Sequence, residues 1–191
     1  DHTTHFSVLD SEGNAVAATL SINLPFGAAF TAPGTGVLLN NEMDDFSAKP
    51  GSPNMYGAIG GEANAIAPHK RMLSSMTPTL LTKNKKPYLT VGTPGGTTIP
   101  TSVFQTIVNL VDFNMGLEDA INSPKFHHQW LPDDVSIEKT FNQDTKSELE
   151  KMGYRIKNRG SIGRTEGILI GPTGKRITVA DKRGDDAVAG Y

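Results

Sequence analysis

The sequence predicts an α+β fold, and three observations carry it. Antiparallel hairpins stand at the start, middle and end of the chain, a strand runs through a glycine-rich turn into an amphipathic helix, and two further short helices lie among the remaining strands. The first hairpin joins alternating runs at 4–9 and 15–22 through Asp10-Ser11-Glu12-Gly13-Asn14, where Gly supplies the positive φ of a tight turn. Residues 28–36 read as loop, 37–39 as a short apolar run, and 46–68 as a long Gly-, Pro-, Asn- and Ala-rich loop without periodicity. Strands at 76–82 and 87–93 flank the polar turn Lys83-Asn84-Lys85-Lys86. After Gly92-Thr93-Pro94-Gly95-Gly96-Thr97-Thr98, apolar residues Val103, Phe104, Ile107, Val108 and Val111 recur at helical spacing. Residues 117–122 read as a helix, and 144–152 as another, capped by Asp144 and stopped by Gly153. The tail alternates at 154–157, 166–170 and 175–180, with Pro172-Thr173-Gly174 as a hairpin turn.

Composition narrows the chemistry. At 191 residues with 37% hydrophobic and 20% charged residues, the chain is a globular domain or a large piece of one. A formal net charge of -2 leaves no basic footprint for nucleic acid, and the absence of Cys excludes disulfides, thiolate catalysis and Cys-based metal sites. No apolar run approaches the roughly 20 residues of a membrane span. An opening Asp1-His2-Thr3-Thr4, with neither start Met nor signal peptide, is expected of the downstream part of a longer translation product, whose upstream part would hold any targeting signal.

Four stretches can carry chemistry. Thr3 leads into the first strand; a Thr hydroxyl is a poor nucleophile until a base takes its proton, and an α-amino group with pKa about 8 is such a base if Thr3 becomes the first residue. Asn40-Asn41-Glu42-Met43-Asp44-Asp45 places three carboxylates in six residues, readable as a solvated turn or a cation site, although it lacks the ligand spacing of a calcium loop. Strand, Pro94-Gly95-Gly96 turn and helix form either an oxyanion hole or a plain turn; no Lys follows the last Gly, so a phosphate loop is excluded. His127 and His128 are adjacent and cannot share a face, which argues against a two-His metal site and for packing around Trp130. Tyr56, alone in its long loop, is a gate residue or a packed surface aromatic. No metal or cofactor is expected.

TTHFSVLD, LLNNEMDDFSAKPG, LSSMTPT, GTPGG and FHHQWLPD, in this order over nearly the whole chain, resemble the small, carboxy-terminal subunit of a bacterial γ-glutamyltransferase (γ-glutamyl transpeptidase, glutathione hydrolase). The resemblance implies an N-terminal-nucleophile hydrolase with a four-layer αββα sandwich, made as one precursor that cuts itself before the catalytic Thr. Residues 1–2 would then be a remnant upstream of the processing site, and 3–191 the small catalytic subunit, completed by a large subunit outside this chain. The implied reaction transfers a γ-glutamyl group from glutathione or another γ-glutamyl amide to water, or to an amino acid or dipeptide. No cofactor is implied, and the location would be periplasmic or secreted.

Carried over by position, Thr3 is the nucleophile and, once N-terminal, the base; Ser21 is a hydroxyl beside it. Gly95 and Gly96 fall at the oxyanion hole. Asn23, Glu42 and Asp45 would hold the substrate's α-ammonium, Ser74 and Ser75 its α-carboxylate, and Tyr56 becomes a lid residue. The completing Arg of that clamp lies in the family's large subunit. Ser21 stands where many bacterial members have Thr, Glu42 where Gln is common, and Met72 where Pro is usual. While His2 remains attached, the Thr3 nitrogen is an amide with no basic role, so little turnover is expected until the His2-Thr3 bond is cut. Two other classes remain: a related acylase or poly-γ-glutamate transferase, and an unprocessed, non-catalytic homologue.

Overall fold

A computed structural model describes residues 3–190; the expected processing remnant Asp1 and His2 lies outside the described residues, as does Tyr191. The described strands are β1 (Thr4–Leu9), β2 (Ala15–Leu20), β3 (Thr79–Lys83), β4 (Lys86–Gly92), β5 (Phe126–His127), β6 (Val135–Glu138), β7 (Ile156–Arg159), β8 (Glu166–Ile170) and β9 (Arg176–Val179). The helices are α1 (Ile99–Val111), α2 (Leu117–Asn122) and α3 (Gln143–Lys151). They form a β1-β2 hairpin, an antiparallel sheet in the order β3-β4-β8-β9, and a small sheet β5-β6-β7 whose last pair is parallel. The α+β class is as expected.

Strand alternation explains the layering. Leu89 and Val91 of β4 point to one side, where with Leu169 of β8 they meet Val103 and Leu110 of α1 and Leu117, Ala120 and Ile121 of α2. Each such side chain, fully withdrawn from water, contributes about 1.5–3 kcal/mol. Thr90 and Gly92 point to the other side, where the β1-β2 hairpin packs on β4 and β8. Helices, four-stranded sheet and hairpin are therefore three stacked layers.

The hairpin is unusual in what it turns inward. His5 and Thr19 are opposite each other on its inner face, and the imidazole is satisfied by Thr19 Oγ1 at 2.8 Å and Ser7 Oγ at 3.1 Å. Its ring occupies the space a side chain on Gly92 would need. The outer face carries Phe6, Val8, Val16 and Leu20, all exposed. That pattern is reversed for a hairpin left facing water, and it marks a face shaped for cover.

Behind the helices, buried charge ties down the end of the chain. Arg183 forks onto Glu138 at 2.7 Å through both Nε and Nη2 and onto Asp181 at 3.0 Å. Glu138 also accepts the Ile162 N–H, and Asp181 the Thr165 N–H, each at 2.8 Å. These carboxylates hold the 160–165 loop between β7 and β8. Buried charges of this kind persist only when paired and hydrogen-bonded on several sides.

The structure corrects several readings. Strand β6 went unread although Val135-Ser136-Ile137-Glu138 alternates. β7 pairs parallel with β6 across α3. Asn142, not Asp144, caps α3, its side chain accepting from Thr145 N at 2.8 Å. Trp130 is not a packing centre: it is 67% exposed. Helical spacing held for α1, but Phe104 and Val111 face outward.

The His5–Gly92 fit makes two expectations. Gly92→Ala forces the imidazole aside and lowers stability by about 1–3 kcal/mol, read as a shifted urea midpoint; an unchanged midpoint would refute the fit. Burial also lowers the His5 pKa from 6.5 to about 4, so the folded state prefers the neutral ring, and this contribution is lost as pH falls from 6.5 towards 4.

Candidate functional site

The site is assembled where three elements end. Thr3 immediately precedes β1, Ser21 and Asn23 follow β2, and Gly96 opens the turn between β4 and α1. Thr3 Oγ1 lies 3.0 Å from Ser21 Oγ. Ser21 Oγ also accepts the Asn23 N–H at 2.9 Å. Asn23 sits at φ 72°, a left-handed conformation that Asn tolerates better than other non-glycine residues. Its amide donates to Asn41 O at 3.2 Å, and Asn41 Oδ1 accepts the Leu24 N–H at 3.0 Å.

The acidic stretch folds into a 3₁₀ turn, Glu42–Asp45. In a 3₁₀ turn residues three apart eclipse, which sets the Glu42 and Asp45 carboxyls side by side. Burial pushes the Glu42 pKa up to about 7, helped by its hydrogen bond to Asp45 and by that residue's charge. Burial also raises Asp45, with the Asp44 charge adding to it. Glu42 Oε1 is buried and has no hydrogen-bond partner among the described residues. Two neighbouring carboxyls with an acceptor oxygen left over are the kind of group a cationic donor would satisfy.

Ser74 and Ser75 lie in an extended segment before β3. Ser74 Oγ accepts the Met76 N–H at 3.2 Å and keeps its own proton free to donate, whereas Ser75 Oγ donates to Gly96 O at 3.1 Å. Tyr56 spans the opening: its hydroxyl donates to Asn23 O at 3.1 Å, and its ring lies so close to Gly96 that a Cβ there would be 3.0 Å from it. Burial raises the Tyr56 pKa, and the Asp45, Glu42 and Asp44 charges act in the same direction. Thr3, Ser21, Asn23, Glu42, Asp45, Tyr56, Ser74, Ser75 and Gly96 line one pocket of about 20 Å³. That is room for about one water molecule.

Of the residues expected here, Gly95 is the one not on the pocket wall; it sits one step deeper in the same turn. His2 lies outside the described residues. Among them, no group of three or more His, Asp or Glu could hold a metal.

Sequence reasoning missed Gln129. Its Nε2 donates to Tyr56 O at 3.3 Å, while its Oε1 accepts from Thr97 Oγ1 at 2.8 Å and lies 2.9 Å from His127 Nε2. It links the loop that carries Tyr56 to the glycine turn, and only a 73-residue sequence separation hid the contact. Thr93 and Thr98 were missed as well, being legible only as part of the turn.

The family model described as gamma-glutamyltranspeptidase matches residues 1–191. The chain belongs to the γ-glutamyltranspeptidase family. It is 49% identical over 192 residues to the glutathione hydrolase proenzyme of Escherichia coli K12, with all of the chain and 33% of that protein covered, so it spans about a third of that relative's length. Among solved structures it is similar to the γ-glutamyltranspeptidase T380A mutant of Helicobacter pylori, with 49% identity, 95% of this chain and 100% of that one covered, and a TM-score of 0.90. The γ-glutamyltranspeptidase of Pseudomonas nitroreducens complexed with L-DON gives 41% identity, 98% and 99% coverage, and a TM-score of 0.91. The fold is thus that of the family's N-terminal-nucleophile hydrolases.

The raised pKa of Glu42 is directly measurable. A carboxyl-labelled NMR titration is expected to show Glu42 titrating near pH 7. A midpoint at the ordinary value of 4.5 would mean that neither burial nor Asp45 raises it.

Proposed function

We propose that this chain is the small catalytic subunit of a γ-glutamyltransferase, which moves the γ-glutamyl group of glutathione or a related amide to water, an amino acid or a dipeptide. The observation that carries this reading is the pocket itself: a Thr hydroxyl 3.0 Å from a second hydroxyl, beside the Glu42 and Asp45 carboxyls and a glycine turn. In the sequence His2 acylates the Thr3 nitrogen, so the first step is self-cleavage. Thr3 Oγ attacks the His2 carbonyl, the acyl group shifts from nitrogen to oxygen, and water hydrolyses the ester to leave a His2 carboxylate and a free Thr3 amine. That amine then serves as the base for the same hydroxyl.

In turnover, Thr3 Oγ attacks the γ-carbonyl and passes its proton to the amine. The tetrahedral oxyanion is met by the Gly95 and Gly96 N–H groups, and the leaving amine departs protonated. The ester is resolved by water or by an acceptor amine. Asn23, Glu42 and Asp45 hold the α-ammonium and Ser74 Oγ, whose proton is free, donates to the α-carboxylate; Ser75 Oγ joins it only by releasing Gly96 O, and Tyr56 closes over the donor. An acyl group lacking a free α-amine would leave the buried carboxyl pair without a counter-cation, which favours a γ-glutamyl donor over another acyl substrate. The exposed apolar outer face of β1-β2 supports a large subunit supplying the fourth layer of the sandwich. We place the enzyme in the periplasm or outside the cell on family resemblance alone.

Expressed from its full reading frame, the protein should yield a subunit beginning at Thr3, and Thr3→Ala should leave one uncut chain and reduce γ-glutamyl anilide turnover by roughly 10³-fold or more. A Thr3→Ala protein that still cleaves and turns over would end this reading. Because Glu42 is protonated below about pH 7, KM for the donor should rise as pH falls from 8 to 6, by up to about tenfold per unit. Glu42→Gln should flatten that rise; a KM independent of pH in the parent enzyme would remove Glu42 from the ammonium socket.

A further inference from the structure

Three successive carbonyls of the glycine turn are each taken by a side-chain hydroxyl. Thr93 Oγ1 donates to Pro94 O at 2.7 Å, Thr98 Oγ1 donates to Gly95 O at 2.8 Å, and Ser75 Oγ donates to Gly96 O at 3.1 Å. The first two matter most, because a trans peptide is planar and its N–H points opposite to its C=O. Holding Pro94 O therefore fixes the direction of the Gly95 N–H, and holding Gly95 O fixes that of the Gly96 N–H.

The two threonines are built for this and for nothing visible at the surface. Thr93 is 0% and Thr98 1% exposed, and neither lines the pocket that holds Thr3. Thr93 Oγ1 accepts the Arg164 N–H at 2.7 Å, so its own proton is committed to Pro94 O. Gly163 must be glycine to bring Arg164 that close: at φ 71°, a Cβ would lie 2.9 Å from both Thr93 Oγ1 and Ser102 Oγ. Gly95 must be glycine for the complementary reason, since a Cβ there would lie 2.5 Å from Thr98 Oγ1. The Gly95 carbonyl receives a second bond from Thr98 N at 3.2 Å, which leaves that peptide plane held from one side by two donors.

We infer that Thr93 and Thr98 are positioning residues that aim the Gly95 and Gly96 N–H groups at the developing oxyanion. This rests on the γ-glutamyltransferase reading above. Neither threonine touches substrate; each acts by restraining a peptide plane whose other side stabilises charge present only at the tetrahedral stage. Their loss should therefore lower kcat and leave donor binding nearly intact.

The test uses the enzyme assembled from its large subunit and a small subunit that already begins at Thr3, so that self-cleavage is not required. Thr93→Val and Thr98→Val keep shape and remove the hydroxyl; Thr93→Ser and Thr98→Ser keep the hydroxyl. With a γ-glutamyl anilide, each valine variant is expected to lose roughly 10–100-fold in kcat with KM within about twofold of the parent, and each serine variant to recover most of the loss. Should a valine variant fail to assemble, the alanine variant at that position is read against its serine counterpart in the same way. The inference is overturned if the hydroxyl-free variants keep kcat within about twofold, if KM changes as much as kcat, or if serine does not restore the rate. An inactive parent enzyme would instead overturn the γ-glutamyltransferase reading.

Discussion

The His5 ring lying in the notch left by Gly92 is the contact on which the site depends. It fixes β1 over β4, and those strands deliver the two reacting parts: β1 begins one residue after Thr3, and β4 ends where the glycine turn starts. A shift of β1 by one residue would turn Thr3, His5 and Ser7 outward and bring Phe6 and Val8 in, because strand side chains alternate. The fit also explains a buried polar face in a hairpin whose apolar residues look outward. His5 bonds to both Ser7 and Thr19, so the inner face is satisfied without being hydrophobic.

Charge is handled in two opposite ways. At the end of the chain, Glu138, Asp181 and Arg183 are buried and paired, with backbone N–H groups taking the remaining acceptor positions. The carboxylate there is held below its ordinary pKa by the Arg183 guanidinium and the Ile162 and Lys125 N–H groups, which outweigh burial. In the pocket, Glu42 and Asp45 are half-buried beside each other with no cation among the described residues, and both pKa values rise. The first arrangement stabilises the fold. The second is a local cost in the free protein that a ligand's ammonium would relieve, as expected where stability is given up for binding.

Much of this was legible in order along the chain. β1, α2 and β8 stand where periodicity placed them, and the first and last hairpins turn on glycines at positive φ, Gly13 and Gly174, while the middle one turns on Asn84 and Lys85. The failures have physical causes. β6 and β5 are short, and β7 pairs parallel with β6 across a helix rather than antiparallel with β8, so their pairing carries no local signal. Trp130 looked like a core residue by type, but its backbone, at φ 73°, carries the ring out into solvent. Asn142 displaced Asp144 as a cap because the helix starts one residue earlier than periodicity suggested.

The sequence by itself determined which groups were available: a Thr hydroxyl at the head of a strand, an acidic turn, a serine pair, a tyrosine in a loop and a glycine turn before a helix. These are properties of short segments, and residue type with local spacing expresses them. Only the tertiary structure decided that they share one pocket, that Ser75 spends its proton on Gly96 O, and that Gln129 braces the loop carrying Tyr56. It alone also showed that Thr93 and Thr98 hold the carbonyls of the turn. Such contacts join residues whose separation along the chain carries no local signal; they exist because burying a backbone carbonyl without a donor costs more than bringing a hydroxyl to meet it.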